Sequence, residues 1–263
     1  METQKQIKNS FISAGTILPF VLVTTLFFMW GIPNNLNGVL IKQFMKSMEL
    51  SRFQAGLIQS AFYMGYFVFA VPAAMLMRRY SYKTGIVFGL LLYAVGCLMF
   101  WPAAIIGEYG FFLISLFVIA SGLAFLETGA NPFIALLGPS ESSEQRLNFS
   151  QAFNPIGSVV GVLLGTMFIF SGVEPNETEI TAMKLAGNYG EFMHNETLRV
   201  VKPYLFLAFL AIVWALLIAK TKFPDFESEK IVEKYGIPHS SIITHSIEAT
   251  TDFVNSRREL KKK

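Results

Sequence analysis

The chain has 263 residues, of which 53% are hydrophobic and only 15% charged, and its mean hydropathy is +0.49. A soluble domain carries about 25% charged residues; here the apolar residues also fall in long unbroken runs, the mark of an integral membrane protein. A single cysteine, Cys97, excludes an intrachain disulfide and a CxxC metal site. The net charge of +3 brings no basic, aromatic-interleaved face, so no nucleic-acid partner is expected.

Residues 1–15 are polar and read as a cytoplasmic amino terminus. The first apolar run, about Thr16 to Met45, is too long for a signal-peptide core and is read as span 1. Gly31 and Pro33 are expected to break it, and Asn34, Asn35 and Asn37 follow within one turn. Three Asn so close together in a membrane helix either line a cavity, with Asn35 and Asn37 toward a substrate, or bond neighbouring helices. Span 2 is expected over about Phe53 to Met77, with Gln59, Tyr63 and Tyr66 on one stripe, a pore lining or an ordinary helix contact. A basic turn, Arg78 to Lys83, precedes span 3, about Thr84 to Ala103.

Span 4, about Phe111 to Leu137, carries Glu127 well inside it. No other expected span has an acid or base at its centre. Placing such a group in a bilayer costs roughly 2.5–3.5 kcal/mol on insertion scales, so it is retained for a reason. The functional reading is a proton or cation relay beside a polar substrate; the bland one is a carboxyl bonded to a neighbouring helix. After a polar loop, Gly138 to Leu147, span 5 is expected over about Asn148 to Gly172. Its early face offers Gln151 and Asn154, and Gly157, Gly161 and Gly165 recur every four residues, a small-residue stripe for close helix packing. A polar loop, Val173 to Val200, leads to span 6, about Val201 to Ala219. The expected cavity wall is the polar faces of spans 1, 4 and 5, with spans 3 and 6 outermost toward lipid.

The basic residues distribute unevenly over the short loops. One side holds Lys5, Lys8, Arg78, Arg79, Lys83, Arg146, Lys220, Lys222 and the terminal cluster from Arg257 to Lys263; the other holds Lys46, Arg52, Lys184 and Arg199. Both termini are therefore expected in the cytoplasm. The fold class is all-α: residues 16–220 form a six-helix transmembrane bundle, and 221–263 a cytoplasmic tail or a truncated interdomain linker.

Four segments carry a resemblance: Asn34-Asn-Leu-Asn37, Phe53 to Tyr63, Leu126-Glu-Thr-Gly-Ala-Asn-Pro-Phe133 and Arg146 to Asn154. Together they resemble the fucose:proton symporter branch of the major facilitator superfamily, over about residues 17–225. The resemblance implies one half of a transporter that, complete, has about twelve spans around a midplane sugar site. It implies proton-coupled symport of L-fucose or a related hexose in a cell inner (plasma) membrane, with protons as the coupling ion and no cofactor. It implies proton coupling at Glu127 and substrate contacts from Asn35, Gln151 and Asn154. The family's Asp directly after the Asn-Asn-Leu-Asn run is replaced by Gly38, which leaves Glu127 as the one protonatable group of this half. The expected partners are a sugar, the lipid bilayer and a carboxyl-terminal six-helix half. The alternative is a non-transporting fragment or subunit that needs that half. An enzyme is not expected, because no partner His, Ser–base pair or metal cluster lies within the spans.

Overall fold

The computed structural model describes residues 11–224, apart from 14, 171, 173 and 174. Residues 1–10 and 225–263, on which the amino-terminal and tail readings mainly fall, lie outside the described residues. The described residues are helical throughout, with no strand, and six helical segments are long and apolar enough to cross a membrane. We label the helices α1 (Ile17–Ser47), α2 (Arg52–Arg79), α3 (Tyr82–Ile106), α4 (Tyr109–Leu136), α5 (Ser143–Gln151), α6 (Phe153–Leu164), α7 (Glu177–Ala186), α8 (Tyr189–Leu198) and α9 (Val201–Lys220). A short 3-10 turn, Ser140–Ser142, opens α5, and a π turn, Gly165–Ile169, closes α6.

Helix ends follow local chemistry. Ser51 caps α2 in a reciprocal box with Gln54, and Ser81 caps α3 by accepting from the Thr84 N–H. Gly107, at φ 72°, ends α3 in the left-handed conformation that a residue without Cβ adopts at no steric cost.

The α1 helix corrects one expectation. It runs unbroken through Gly31 and Pro33 for 31 residues. Proline removes the N–H that would have reached the Met29 carbonyl and crowds that carbonyl with its ring, but the buried surroundings of Gly31, Ile32 and Pro33 hold the helix together. A second correction concerns the loops. Residues 173–200, expected as loop, contain α7 and α8, and Asn176 caps α7 in a box with Glu179. Residues 138–147 likewise turn helical from Ser140 onward.

The bundle is assembled from four principal contacts: α1 against α6, α2 against α4, α3 against α4, and α3 against α9. The α3–α4 seam is close because Gly89, Gly96 and Gly122 leave no side chain between backbones; a Cβ on Gly96 would meet the Ile119 N at 2.6 Å. Aromatic stacking joins α3 to α9, where the Phe100 and Tyr204 rings lie 3.6 Å apart and 8° from parallel.

Two basic side chains fasten helix ends on the side where α1 begins. Arg146 is fully buried and uses all five of its donors. Its Nε donates to the Ile134 carbonyl, Nη2 to those of Ala135 and Pro139, and Nη1 to the Phe11 carbonyl and the Ser142 hydroxyl. A cation at the carbonyl end of α4 also meets the negative end of that helix dipole. Lys83 donates to the Ala219 carbonyl at 2.8 Å and the Thr221 carbonyl at 2.9 Å, closing the end of α9. At the opposite end Glu196 of α8 is buried, with Lys46 of α1 3.1 Å away and Gln43 donating to its backbone carbonyl.

Candidate functional site

A hollow of about 570 Å³ opens between α2 and α4, lined by Tyr63, Tyr66, Phe67, Ala70, Ala124, Glu127, Thr128 and Asn131. Its chemistry follows from helical spacing. On α4, Ala124, Glu127, Thr128 and Asn131 fall three and four residues apart and share one face. The intervening residues Phe125, Leu126, Gly129 and Ala130 are buried against the rest of the bundle. Glu127 therefore presents its carboxyl to the open side of the helix, and it is exposed there.

The surrounding groups come from α4 itself and from two further helices. Asn131, one turn beyond Glu127, donates from Nδ2 to the Glu127 backbone carbonyl at 2.9 Å. Its Oδ1 accepts from Gln151 Nε2 at 3.4 Å, which ties α4 to the end of α5. Tyr66 of α2 lines the same hollow as Glu127. Its ring packs on Phe62, 5.7 Å between centroids. The Glu127 carboxyl, the Asn131 amide and the Tyr63 and Tyr66 phenols thus line one hollow, and Gln151 is bonded to Asn131. Each of these groups can donate or accept toward a polyhydroxylated ligand: amides do both, a hydroxyl does both, and a carboxyl changes its donor count with its proton. The aromatic rings of Tyr63 and Phe67 supply the apolar remainder of the wall.

The other expected site residues take different places. Asn35 is exposed, and its Nδ2 lies 3.4 Å from the Gly31 carbonyl of its own helix. Asn37 is fully buried and donates to Gln59 Oε1 at 3.0 Å, joining α1 to α2. Asn154 is half-buried and donates to the Phe27 carbonyl at 3.3 Å, joining α6 to α1. The glycine stripe faces the same helix. A Cβ on Gly157 would strike the Phe28 carbonyl, on Gly161 the Ile32 carbonyl, and on Gly165 the Val39 side chain at 2.8 Å. Gly31 returns the contact, abutting the Asn154 carbonyl.

Two members of the hollow, Asn131 and Tyr66, were not among the expected site residues. Asn131 was legible as the amide one turn beyond the only central carboxyl. Tyr66 lay on the noted α2 stripe, but α2 was not among the helices expected to form the wall. Among the described residues no group of three or more His, Cys, Asp or Glu could hold a metal ion.

The six helical segments form a bundle of membrane-crossing length with a carboxyl inside its fourth span, and the chain belongs to the Major Facilitator Superfamily, whose family model matches residues 20–244. It is 45% identical over 217 residues to the L-fucose-proton symporter of Escherichia coli strain K12, covering 82% of this chain and 50% of that protein. It is 37% identical to the L-fucose-proton symporter of Haemophilus influenzae, covering 81% of this chain and 51% of that one. It is 38% identical to a glucose/galactose transporter of Brucella abortus, covering 79% and 47% respectively. Among solved structures it is similar to FucP in the outward conformation, with a TM-score of 0.68 and 46% identity over 80% of this chain and 50% of that one. The chain spans about half the length of the curated relatives it matches.

Proposed function

We propose that this six-helix unit is one half of a proton-linked hexose transporter, taking L-fucose or a related sugar, and that a second six-helix half completes the site. The observation that carries this reading is Glu127: a carboxyl in the middle of a spanning helix, opening into a hollow that Asn131, Tyr63 and Tyr66 also line, with Gln151 bonded to Asn131. The names of the matched relatives, all sugar symporters or transporters, support it. In this reading Glu127 both contacts sugar and carries the proton. Gln151 and Asn35 meet sugar hydroxyls from the exposed surface, while Asn37 and Asn154 act on the site by holding α1 against α2 and α6. Gly157, Gly161 and Gly165 set how close α6 lies to α1. The hollow has α2 and α4 for walls and needs a facing half to become enclosed. The basic-residue count supports an inner-membrane protein with both termini cytoplasmic.

Uptake of radiolabelled fucose, galactose and glucose into vesicles, with this chain alone and with a co-expressed carboxyl-terminal half, tests the reading. Proton-dependent accumulation only in the paired sample is expected; no uptake in either sample rejects transport and favours a non-transporting subunit, the reading suggested by Gly38. Cysteine labelling at Lys83 and Gly187 tests the orientation: the two positions should react from opposite sides.

A further inference from the structure

We propose that the groove between the end of α6 and the start of α9 binds one glycerophospholipid with an anionic headgroup. The groove holds about 230 Å³ and is lined by Leu164, Phe168, Pro203 and Phe206, with Lys202 as its one charged lining residue. Its shape comes from two irregular helix ends. The π turn at Gly165–Ile169 is wider than an α-turn and leaves Phe168 exposed. On the other side α9 starts at Val201 with Pro203 in its first turn, where a missing N–H costs nothing. Phe206, one turn further along α9, forms the floor toward the bilayer interior and is itself exposed.

The depth of the groove matches a lipid. It lies where α6 ends and α9 begins, at the end of the bundle that carries α7 and α8, so its mouth falls at headgroup level and its apolar lining among acyl chains. Lys202 is exposed, and among the described residues its ammonium makes no hydrogen bond or ion pair. Three residues earlier, Arg199 is held in place: Nε donates to the Ile169 carbonyl and Nη2 to the Phe170 carbonyl, both at 2.8 Å. Those bonds pin the two helix ends that form the groove and fix a second positive charge on the same turn. No Asp or Glu lines the groove, and the acid preceding Arg199, Glu196, is turned to Lys46. An acyl chain in the slot and a phosphodiester on Lys202 satisfy both halves of this arrangement. A soluble anion uses only the charge, and a zwitterionic lipid gains less from it.

The test uses the full chain in detergent and counts retained lipids by native mass spectrometry during titration with phosphatidylglycerol or phosphatidylcholine. One phosphatidylglycerol per chain should be held at about fivefold lower lipid concentration than phosphatidylcholine, the effect expected of one basic residue at a membrane surface. Lys202→Ala should abolish that preference and leave phosphatidylcholine binding unchanged, whereas Lys202→Arg should keep it. Leu164→Trp, which fills the slot, should weaken both lipids. Equal binding of the two lipids by the parent chain, a preference that survives Lys202→Ala, or no effect of Leu164→Trp would overturn the proposal. Displacement of phosphatidylglycerol by millimolar inorganic phosphate would assign the site to a free anion instead.

Discussion

The α1–α6 seam and the α2–α4 pair are both helix contacts that contain polar side chains, yet they do opposite things with them. Along α1–α6 the backbones approach until Gly157 and Gly161 lie against carbonyls, and Asn154 spends its amide on the Phe27 carbonyl. Along α2–α4 the helices are equally close, at Gly65, where a Cβ would meet the Ala120 Cβ at 2.8 Å, and at Met77, which lies against Gly129 and Phe125, but on the outer side of this contact Tyr63, Tyr66, Glu127 and Asn131 line the open hollow. Amides where backbones touch are absorbed by packing. Amides and acids on the open side of a helix contact keep donors and acceptors for a ligand. The distinction lies in whether a side chain faces the contact or its open side, not in residue type.

Five substitutions press on that distinction. The largest effect is expected at the seam. Gly161→Leu drives a side chain into the Ile32 carbonyl, a backbone atom that cannot swing aside. Overpacking of this kind costs about 1–3 kcal/mol or more, and thermal unfolding in detergent should show a clear drop in midpoint and in yield of folded protein. If the protein tolerates leucine at position 161, the seam is looser than the glycines indicate.

Next comes the hollow. Glu127→Gln keeps shape and hydrogen bonding but cannot titrate. Sugar binding, or sugar exchange with a completing half, should persist, while proton-driven accumulation and its pH dependence disappear. The measurement is sugar binding across roughly pH 5–9, wide enough to bracket the shift that a membrane site imposes on a carboxyl. Identical pH curves for parent and variant would reduce Glu127 to a structural group.

The third pair separates the two regions directly. Gln151→Leu should weaken sugar binding by about 1–3 kcal/mol, the loss for an unpaired polar group in a desolvated site, and leave the unfolding midpoint near that of the parent. Asn154→Leu should do the reverse, lowering the midpoint through the lost bond to Phe27 and changing affinity less. Matching effects in both variants would erase the division between seam and hollow. The smallest effect on folding is expected from Gly38→Asp. A Cβ there meets nothing within 4 Å, and position 38 is exposed. The variant should fold as the parent does and accumulate sugar more steeply against a proton gradient, by supplying a second protonatable group.

The six spans were legible because each is a run of apolar residues long enough to cross; the structure moves the ends of the first four by at most three residues, whereas the fifth and sixth begin earlier, at Ser140 and Tyr189, where polar residues turn helical. Glu127 was legible for the same reason, as the one charge in the middle of such a run. Pro33 misled because the lost bond and the ring's clash with the carbonyl four residues back, though costly, are offset where the helix is buried on both sides of it. The α7 helix was missed although Asn176 and Glu179 form a capping box, since its polar composition carries no apolar face to betray it. The division of Asn35, Asn37, Gln151 and Asn154 between open surface and helix contact could not be read from spacing. It depends on where α2 and α6 lean relative to α1, which is decided by glycines facing carbonyls on other helices.

Arg146 and Lys83 also differ in when they can act as the chain is made. Every acceptor of Arg146 precedes it in sequence: Phe11, Ile134, Ala135, Pro139 and Ser142 have all been synthesised by the time it emerges. That fastening can close at once, locking the end of α4 to the start of the chain while α6 and α9 do not yet exist. Lys83 must wait for Ala219, 136 residues later. The first four helices can therefore settle as an early assembly during translation, and the last helix is secured by a lysine that has been in place since α3 was laid down.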